Sequence, residues 1–149
     1  MKRKIILSIL LVGIIFATQA QMVFNEEYKK SLDAQYTTGV FKGFNNAYML
    51  VPDSDPAALS SFTVFQYLQG RVAGLTIDNS YMYSPVVSWR MSATSFFLNE
   101  IQVDASVLAT VSMNDIGLIK VFRPPFVGAR GNGPGGAIAV YTLRGDEDD

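Results

Sequence analysis

The glycines of residues 131–136 have the clearest potential for binding chemistry, because Gly-Asn-Gly-Pro-Gly-Gly matches the pattern G-x-G-x-x-G. In a dinucleotide site a helix follows this pattern, and its N-terminus holds the pyrophosphate. Here residues 137–142 are rich in β-branched and aromatic side chains and have the period of a strand. No Lys-Ser/Thr follows, and only the acidic tail lies beyond. We therefore predict a tight loop between two strands and no bound cofactor.

Two groups of acidic residues have the types that acid–base catalysis or cation binding requires. Glu100 and Asp104 lie near a predicted turn and would form an acid–base pair if both faced one substrate. Asp78, Asp104 and Asp115 would bind a hard cation if the fold brought them together. Neither group has a spacing typical of such a site, so solvated turn residues or helix caps are favoured. We predict no catalytic, cofactor-binding or metal-binding residues.

The sequence contains neither histidine nor cysteine. The commonest general base and the commonest zinc ligands are therefore missing, and Ser-His-Asp and Cys-His catalysis are excluded. We predict that the protein is not an enzyme and that its fold is held by its core alone.

Three aromatic residues have side chains that are frequent at protein-binding surfaces, namely Trp89, Tyr81 and Tyr83. For Trp89, packing in the core is the favoured interpretation. For Tyr81 and Tyr83, which lie in a serine-flanked loop, exposure at a binding surface and a purely structural role both remain open.

The elements that position these residues predict an α+β domain with a small mixed sheet of about four to five short strands and two short helices. An apolar stripe predicts a helix that begins after Ser60 or Ser61 and ends near Gly70 and Gly74: Phe62, Phe65, Leu68 and Val72. A second short helix is expected near residues 106–108. Alternating or fully apolar segments predict the strands, within residues 75–77, 86–90, 95–103, 116–122 and 137–143. Leu68 and Ile119 are expected in the core.

Residues 1–20 have the pattern of a secretory signal peptide. Lys2, Arg3 and Lys4 precede an apolar run twelve residues long, and small side chains end the segment at Ala20. The apolar run is shorter than the roughly 20 residues that a membrane-spanning helix needs. Its removal leaves nine basic against 13 acidic residues, a net charge of −4 that does not attract nucleic acid. An uncleaved anchor is the less favoured alternative.

The remainder is expected to contain three parts. Residues 21–56 are the least regular and predict an N-terminal arm, with a possible short strand at residues 48–51. A compact domain is expected to begin near Ala57 and to extend to residue 145. Residues 146–149 are all acidic and predict a solvated tail.

Four segments in order resemble the plug domain of TonB-dependent outer-membrane receptors, especially the nutrient receptors of Bacteroidetes. They are Val64–Leu75, similar to LQGRVAGV, Phe96–Val103, similar to LYVVDGVPV, Asn114–Val121, similar to DIESIEVLKG, and Gly128–Thr142, similar to YGSRGANGVILITTK. Trp89-Arg90 stands where the family has an arginine-bearing strand. Asn99-Glu100 replaces the family's Asp-Gly turn and makes that turn's geometry uncertain.

The resemblance implies a plug-like fold without the receptor's β-barrel. Because the sequence ends four residues after Gly145, too few residues remain for such a barrel, and we expect no transport by this chain alone. The expected function is a protein-binding module in the periplasm or at the outer membrane, whose partner is an outer-membrane β-barrel or another envelope protein. The alternative is a degenerate fragment of a nutrient receptor.

Overall fold

A computed structural model describes residues 26–43, 46–81, 84–129 and 133–144. These residues divide into two units, one ending at Gln35 and one beginning at Tyr36. The described part of the first unit belongs to helix α1, residues 26–36, in which Lys29 and Glu26 form an ion pair of 3.8 Å. The predicted signal peptide and acidic tail lie outside the described residues. Among the described helices, none has the length and apolar character required to cross a membrane.

Three helices and eight strands lie in the described part of the second unit. In chain order they are β1 (Ala47–Leu50), α2 (Pro56–Leu59), α3 (Val64–Leu68), β2 (Leu75–Asp78), β3 (Val86–Trp89), β4 (Ser92–Ala93), β5 (Ser95–Leu98), β6 (Ile101–Val103), α4 (Ala105–Thr110), β7 (Ile116–Phe122) and β8 (Ala137–Thr142). Single 3-10 turns lie at Gly39–Phe41, Pro52–Ser54 and Met113–Asp115. The α+β class that the sequence predicts is confirmed.

The strands form two sheets, where the sequence predicted one sheet of four to five strands. The larger sheet has the order β1-β7-β8-β5-β6, and the smaller has the order β2-β3-β4. β8 lies between β7, to which it is antiparallel, and β5, to which it is parallel. All seven residues of β7 are buried, as expected for a central strand covered on both faces.

The compact unit begins earlier than the boundary predicted near Ala57. β1 lies inside the segment predicted as an arm, and it pairs antiparallel with β7 from Ala47 opposite Phe122 to Leu50 opposite Ile119. Residues 36–56 are therefore part of the same unit as the rest of the domain. The short strand predicted at residues 48–51 is confirmed with bounds shifted by one residue.

The helix predicted from Phe62 to Val72 is present as α3, but it is shorter, because the Thr63 side chain caps it by accepting a hydrogen bond from the backbone N–H of Gln66. α2 lies before the predicted start and was not expected. Phe62 precedes that cap and is 85% exposed. Gly70 and Gly74, predicted near the helix end, have φ of +76° and +85°.

The core lies between α3, α4 and the sheets. Leu68 and Ile119 are fully buried, as predicted, and Trp89 is also in the core. Gly74 lies directly against the Trp89 indole, since a Cβ at that glycine would stand 2.8 Å from Nε1. The small sheet is thereby fixed to the turn that follows α3.

Candidate interaction surface

The glycine-rich loop connects two strands and leads into a strand. Gly133 and Gly136 have φ of +44° and +73°, and a Cβ at Gly133 would stand 2.7 Å from the Phe126 carbonyl oxygen. Strand β8 begins at Ala137, so the predicted loop between strands is confirmed for residues 133–136. Residues 130–132 lie outside the described part. Without a following helix the loop lacks the N-terminus that would bind a pyrophosphate.

The turn between β5 and β6 has positive φ angles, although Glu100 stands where the family has the glycine of its Asp-Gly turn. Asn99 and Glu100 have φ of +48° and +68°, values that favour glycine at the second position. The Asn99 side chain accepts a hydrogen bond from Thr142 N at 3.0 Å. The Glu100 carboxylate accepts from Thr38 N at 2.6 Å and from the Thr38 hydroxyl. These contacts stabilise the turn whose geometry the sequence left uncertain, and they give Glu100 a structural role.

The other acidic residues that were considered for catalysis or cation binding lie in different elements of the fold. Asp78 accepts hydrogen bonds from the Ser80 hydroxyl and backbone N–H, which lower the pKa of its carboxyl. Asp104 precedes α4, and Asp115 belongs to a 3-10 turn. Within the described residues, no three histidine, cysteine or acidic side chains are grouped as a metal site requires.

The most strongly shifted pKa belongs to Tyr67, which the sequence did not single out. Burial, followed by the hydrogen bond to Asp55, raises the pKa of the Tyr67 hydroxyl to about 12. Asp55 accepts from Tyr67 at 3.0 Å, from Arg71 at 2.8 Å and from the Ala57 backbone at 3.0 Å. The Ala57 N–H contributes most to lowering the pKa of Asp55. Since Asp55 caps α2 while Tyr67 lies in α3, this cluster joins the two helices.

A buried lysine, like the Asp55 cluster, joins two segments of the fold. Lys120 is the charged residue of β7, and its Nζ donates to the carbonyl oxygens of Phe41 at 2.6 Å and Gly43 at 2.9 Å. The Phe41 ring packs against Phe97 and Phe126, with centroids 5.0 and 5.3 Å away. Lys120 thus fixes the segment before β1 onto the large sheet.

Two adjoining cavities form a cationic face, which we define by Lys42, Arg90 and Arg123. The cavities measure about 300 and 410 Å³ and share Asn46 and Arg123 in their lining. The Arg123 guanidinium lies 4.7 Å from the centre of the Tyr48 ring, within the range of a cation–π contact. Neither cavity has an acidic residue in its lining.

The border of the cationic face contains exposed apolar groups and an unusual turn. Val127 is 78% exposed beside Lys42 and Arg123. Arg90 and Met91 connect β3 to β4 with φ of +47° and +70°, although neither is glycine, and the Met91 side chain is 98% exposed. Positive φ at both positions is the geometry of a two-residue hairpin turn, and it is unfavourable for residues other than glycine.

The aromatic residues considered for binding are divided between core and surface. Trp89 is buried, as predicted, with its ring 6.3 Å from Tyr48, which lines the same cavity. Tyr81 is 73% exposed, whereas Tyr83 lies outside the described residues. The sequence did not identify Lys42 or Arg123, because the pairing of β1 with β7 places Asn46 beside Arg123 across a long sequence separation.

No protein-family model and no curated protein sequence matches this chain. Solved structures are similar to it. The RagAB peptide importer in the open-open state superposes with a TM-score of 0.54 at 16% identity, over 76% of this chain and 14% of that one. The siderophore receptor PirA from Pseudomonas aeruginosa gives 0.50 at 16% identity, over 69% of this chain and 19% of that one.

A mutant of the ferric enterobactin receptor PfeA from Pseudomonas aeruginosa gives a TM-score of 0.51 at 13% identity, over 67% of this chain and 17% of that one. The chain thus spans less than a fifth of the length of each of these proteins. At these identities the likeness concerns the fold. The described domain has the fold of the plug domain of TonB-dependent receptors, and the proteins that share it here are an importer and receptors.

Proposed function

We propose that this plug-like domain is an exported, non-catalytic protein-binding module that docks through its cationic face onto an outer-membrane β-barrel or another envelope protein. The observation that carries the proposal is the cationic face itself, in which Lys42, Arg90 and Arg123 surround aromatic side chains without an acidic neighbour in the lining. A plug-like fold supports it, since plug domains are shaped to contact a surrounding protein.

The charge distribution favours an acidic partner. After loss of residues 1–20 the net charge is −4, whereas the cationic face concentrates three positive charges. Complementary charges steer association and suppress wrong partners. Val127 and Met91 add exposed apolar area at the border, and arginine, methionine and aromatic residues are enriched at interfaces.

The non-catalytic part of the proposal rests on the side chains available. The sequence offers no histidine or cysteine, and its most perturbed hydroxyl, Tyr67, is held neutral by burial and by Asp55. A general base needs a pKa near the working pH and access to a substrate. Tyr67 has neither, because its pKa is about 12 and its side chain is buried.

The second candidate is a degenerate receptor fragment that folds but binds no envelope protein. It is favoured by the fold likeness to receptors. The two candidates differ in one respect, since only the first predicts a specific, saturable partner.

The test is retention of proteins from a detergent-solubilised envelope fraction on the immobilised protein, with each retained protein identified by mass spectrometry. We expect one envelope protein, and we expect the double variant Arg90→Ala/Arg123→Ala to weaken its binding about tenfold. The control Lys29→Ala/Lys30→Ala removes the same charge from α1 and should bind like the original chain. Added salt should weaken the complex.

Each outcome separates the candidates. Retention of no envelope protein would support the degenerate fragment. Equal binding by the original chain and the arginine variant would show that the partner docks elsewhere than on the cationic face.

A further inference from the structure

Methionine is the only sulfur-containing residue type in this chain, because the sequence has no cysteine. Three of its methionines belong to the described residues, and the fold exposes them very differently. Met91 is 98% exposed, whereas Met49 is half-buried and Met113 lies in the core. Oxidation of sulfur-containing side chains follows their exposure. Among the described residues, the Met91 thioether is therefore the sulfur that an oxidant reaches most readily.

The turn between β3 and β4 explains why Met91 is so exposed. The two strands pair antiparallel with Trp89 opposite Ser92, so Arg90 and Met91 are the two residues of the connecting turn. Both lie beyond the last paired residues, while the buried Trp89 side chain anchors the base of the turn in the core. The exposure of Met91 is thus a property of a fixed element of the fold.

The neighbours of Met91 belong to the cationic face. Arg90 precedes it in the turn and lines the same cavity as Arg123. A methionine side chain is flexible and apolar, and it adapts to the surface of a partner. Its sulfoxide is polar, and formation of the sulfoxide disrupts such contacts. Oxidation of Met91 would therefore remove apolar contact area at the border of the cationic face without changing the charge of that face.

We propose that Met91 is a reversible oxidation site, at which a peroxide converts the thioether to a sulfoxide and a methionine sulfoxide reductase restores it. The sulfur attacks one peroxide oxygen, so an S–O bond forms, the O–O bond breaks and the second oxygen leaves as water after proton transfer. The sulfur loses two electrons, and the peroxide gains them. The reductase releases the added oxygen as water while a dithiol is oxidised to a disulfide. A further effect, weaker docking by the oxidised chain, rests on the proposed function.

The test of the site is treatment of the purified protein with hydrogen peroxide. Peptide mass spectrometry follows the oxygen added to each methionine over time. We expect Met91 to be oxidised at least about tenfold faster than Met113, because a buried sulfur reacts only when the fold opens locally. In concentrated urea the two rates should become similar. The two reductases that act on the two sulfoxide epimers, supplied with dithiothreitol, should then remove the oxygen from Met91 in the folded chain.

The effect on docking is measured with the envelope protein that the unoxidised chain retains. Peroxide treatment should weaken its binding about threefold to fivefold, the loss typical of an interface side chain outside the energetic centre. Treatment with the reductases should restore the binding. The matched control Met91→Leu keeps an apolar side chain of similar size but has no sulfur at this position. It should bind like the original chain both before and after peroxide treatment.

The outcomes separate this proposal from the proposed function. Equal oxidation rates of Met91 and Met113 in the folded chain, or a Met91 sulfoxide that the reductases do not reduce, would overturn the oxidation site. Unchanged binding after oxidation of Met91 would overturn the effect on docking. Retention of no envelope protein by the unoxidised chain would overturn the proposed function and the effect on docking together, while the oxidation rates would still decide the site.

Discussion

Gly136 and Gly70 have nearly the same φ, +73° and +76°, but different surroundings. A Cβ at Gly70 would meet no atom within 4 Å, whereas one at Gly136 would collide with the Phe122 carbonyl oxygen. Gly70→Ala should therefore lower the free energy of unfolding by the left-handed strain alone, about 1–2 kcal/mol. Gly136→Ala should lower it further, because backbone must move as well.

Urea unfolding of both variants measures this difference. Equal losses would mean that the end of the glycine-rich loop adapts to a side chain, and that its glycines are not required for close packing. The same experiment examines the structural interpretation of the loop without any assumption about ligands.

Tyr67 is expected to lower the free energy of unfolding of the protein as the pH becomes alkaline. Its pKa is about 12 in the folded protein and near 10 when unfolded, so the folded state retains a proton that the unfolded state loses. The contribution is complete below pH 10 and is lost as the pH rises towards 12. We expect the free energy of unfolding to fall over this interval, and Tyr67→Phe to make that fall shallower.

The control for this measurement is Tyr81→Phe. Tyr81 is exposed, so its removal should leave the pH dependence as it is in the original chain. A steep alkaline loss that persists in Tyr67→Phe would assign it to another group.

At the residue scale, burial is easier to predict from sequence than backbone conformation. Leu68, Trp89 and Ile119 lie where apolar periodicity predicts the core. No sequence pattern predicts the left-handed conformations of Arg90 and Glu100, because arginine and glutamate rarely adopt them. At Glu100 the compensating contact with Thr38 comes from a residue 62 positions away.

At the element scale, α2 and α3 provide a matched pair of leucines. Leu68 in α3 is fully buried, whereas Leu59 in α2 is 82% exposed. Leu68→Ala should lower the free energy of unfolding by about 2–5 kcal/mol. Leu59→Ala should change it by less than about 0.5 kcal/mol, as is usual for surface substitutions. Chemical denaturation measures both, and similar losses would contradict the arrangement of these helices.

The bounds of α3 illustrate why elements were only partly predictable. The spacing of Phe62, Phe65 and Leu68 fits one helical face, and two of the three are buried. The Thr63 cap instead starts the helix at Val64, after Phe62. β2 and β3 were predicted, but their separation into a second sheet depends on pairing across the chain, which no local pattern encodes.

At the scale of the whole molecule, export has a direct test. Lys2, Arg3 and Lys4 and the apolar run after them predict cleavage after Ala20. The intact mass of the protein isolated from its native envelope should correspond to a chain that begins at Gln21. A chain that retains Met1 would favour the uncleaved anchor instead.

The candidate binding surfaces could be predicted less well than the fold. Four motifs in order identified the plug-like architecture, because glycine positions and strand patterns are local. The cationic face joins Lys42 to Arg90 and Arg123 only after the strands have paired. This set has no spacing that a sequence pattern would reveal.

The position of β8 has a consequence for a chain that crosses a membrane from its N-terminus. β8 is the middle strand of the large sheet and also the last strand in the described sequence, while β1 pairs only with β7. The central pair of that sheet, β7 and β8, requires residues 116–142. If residues 1–20 direct export as predicted, the large sheet therefore closes only after β8 has crossed the membrane.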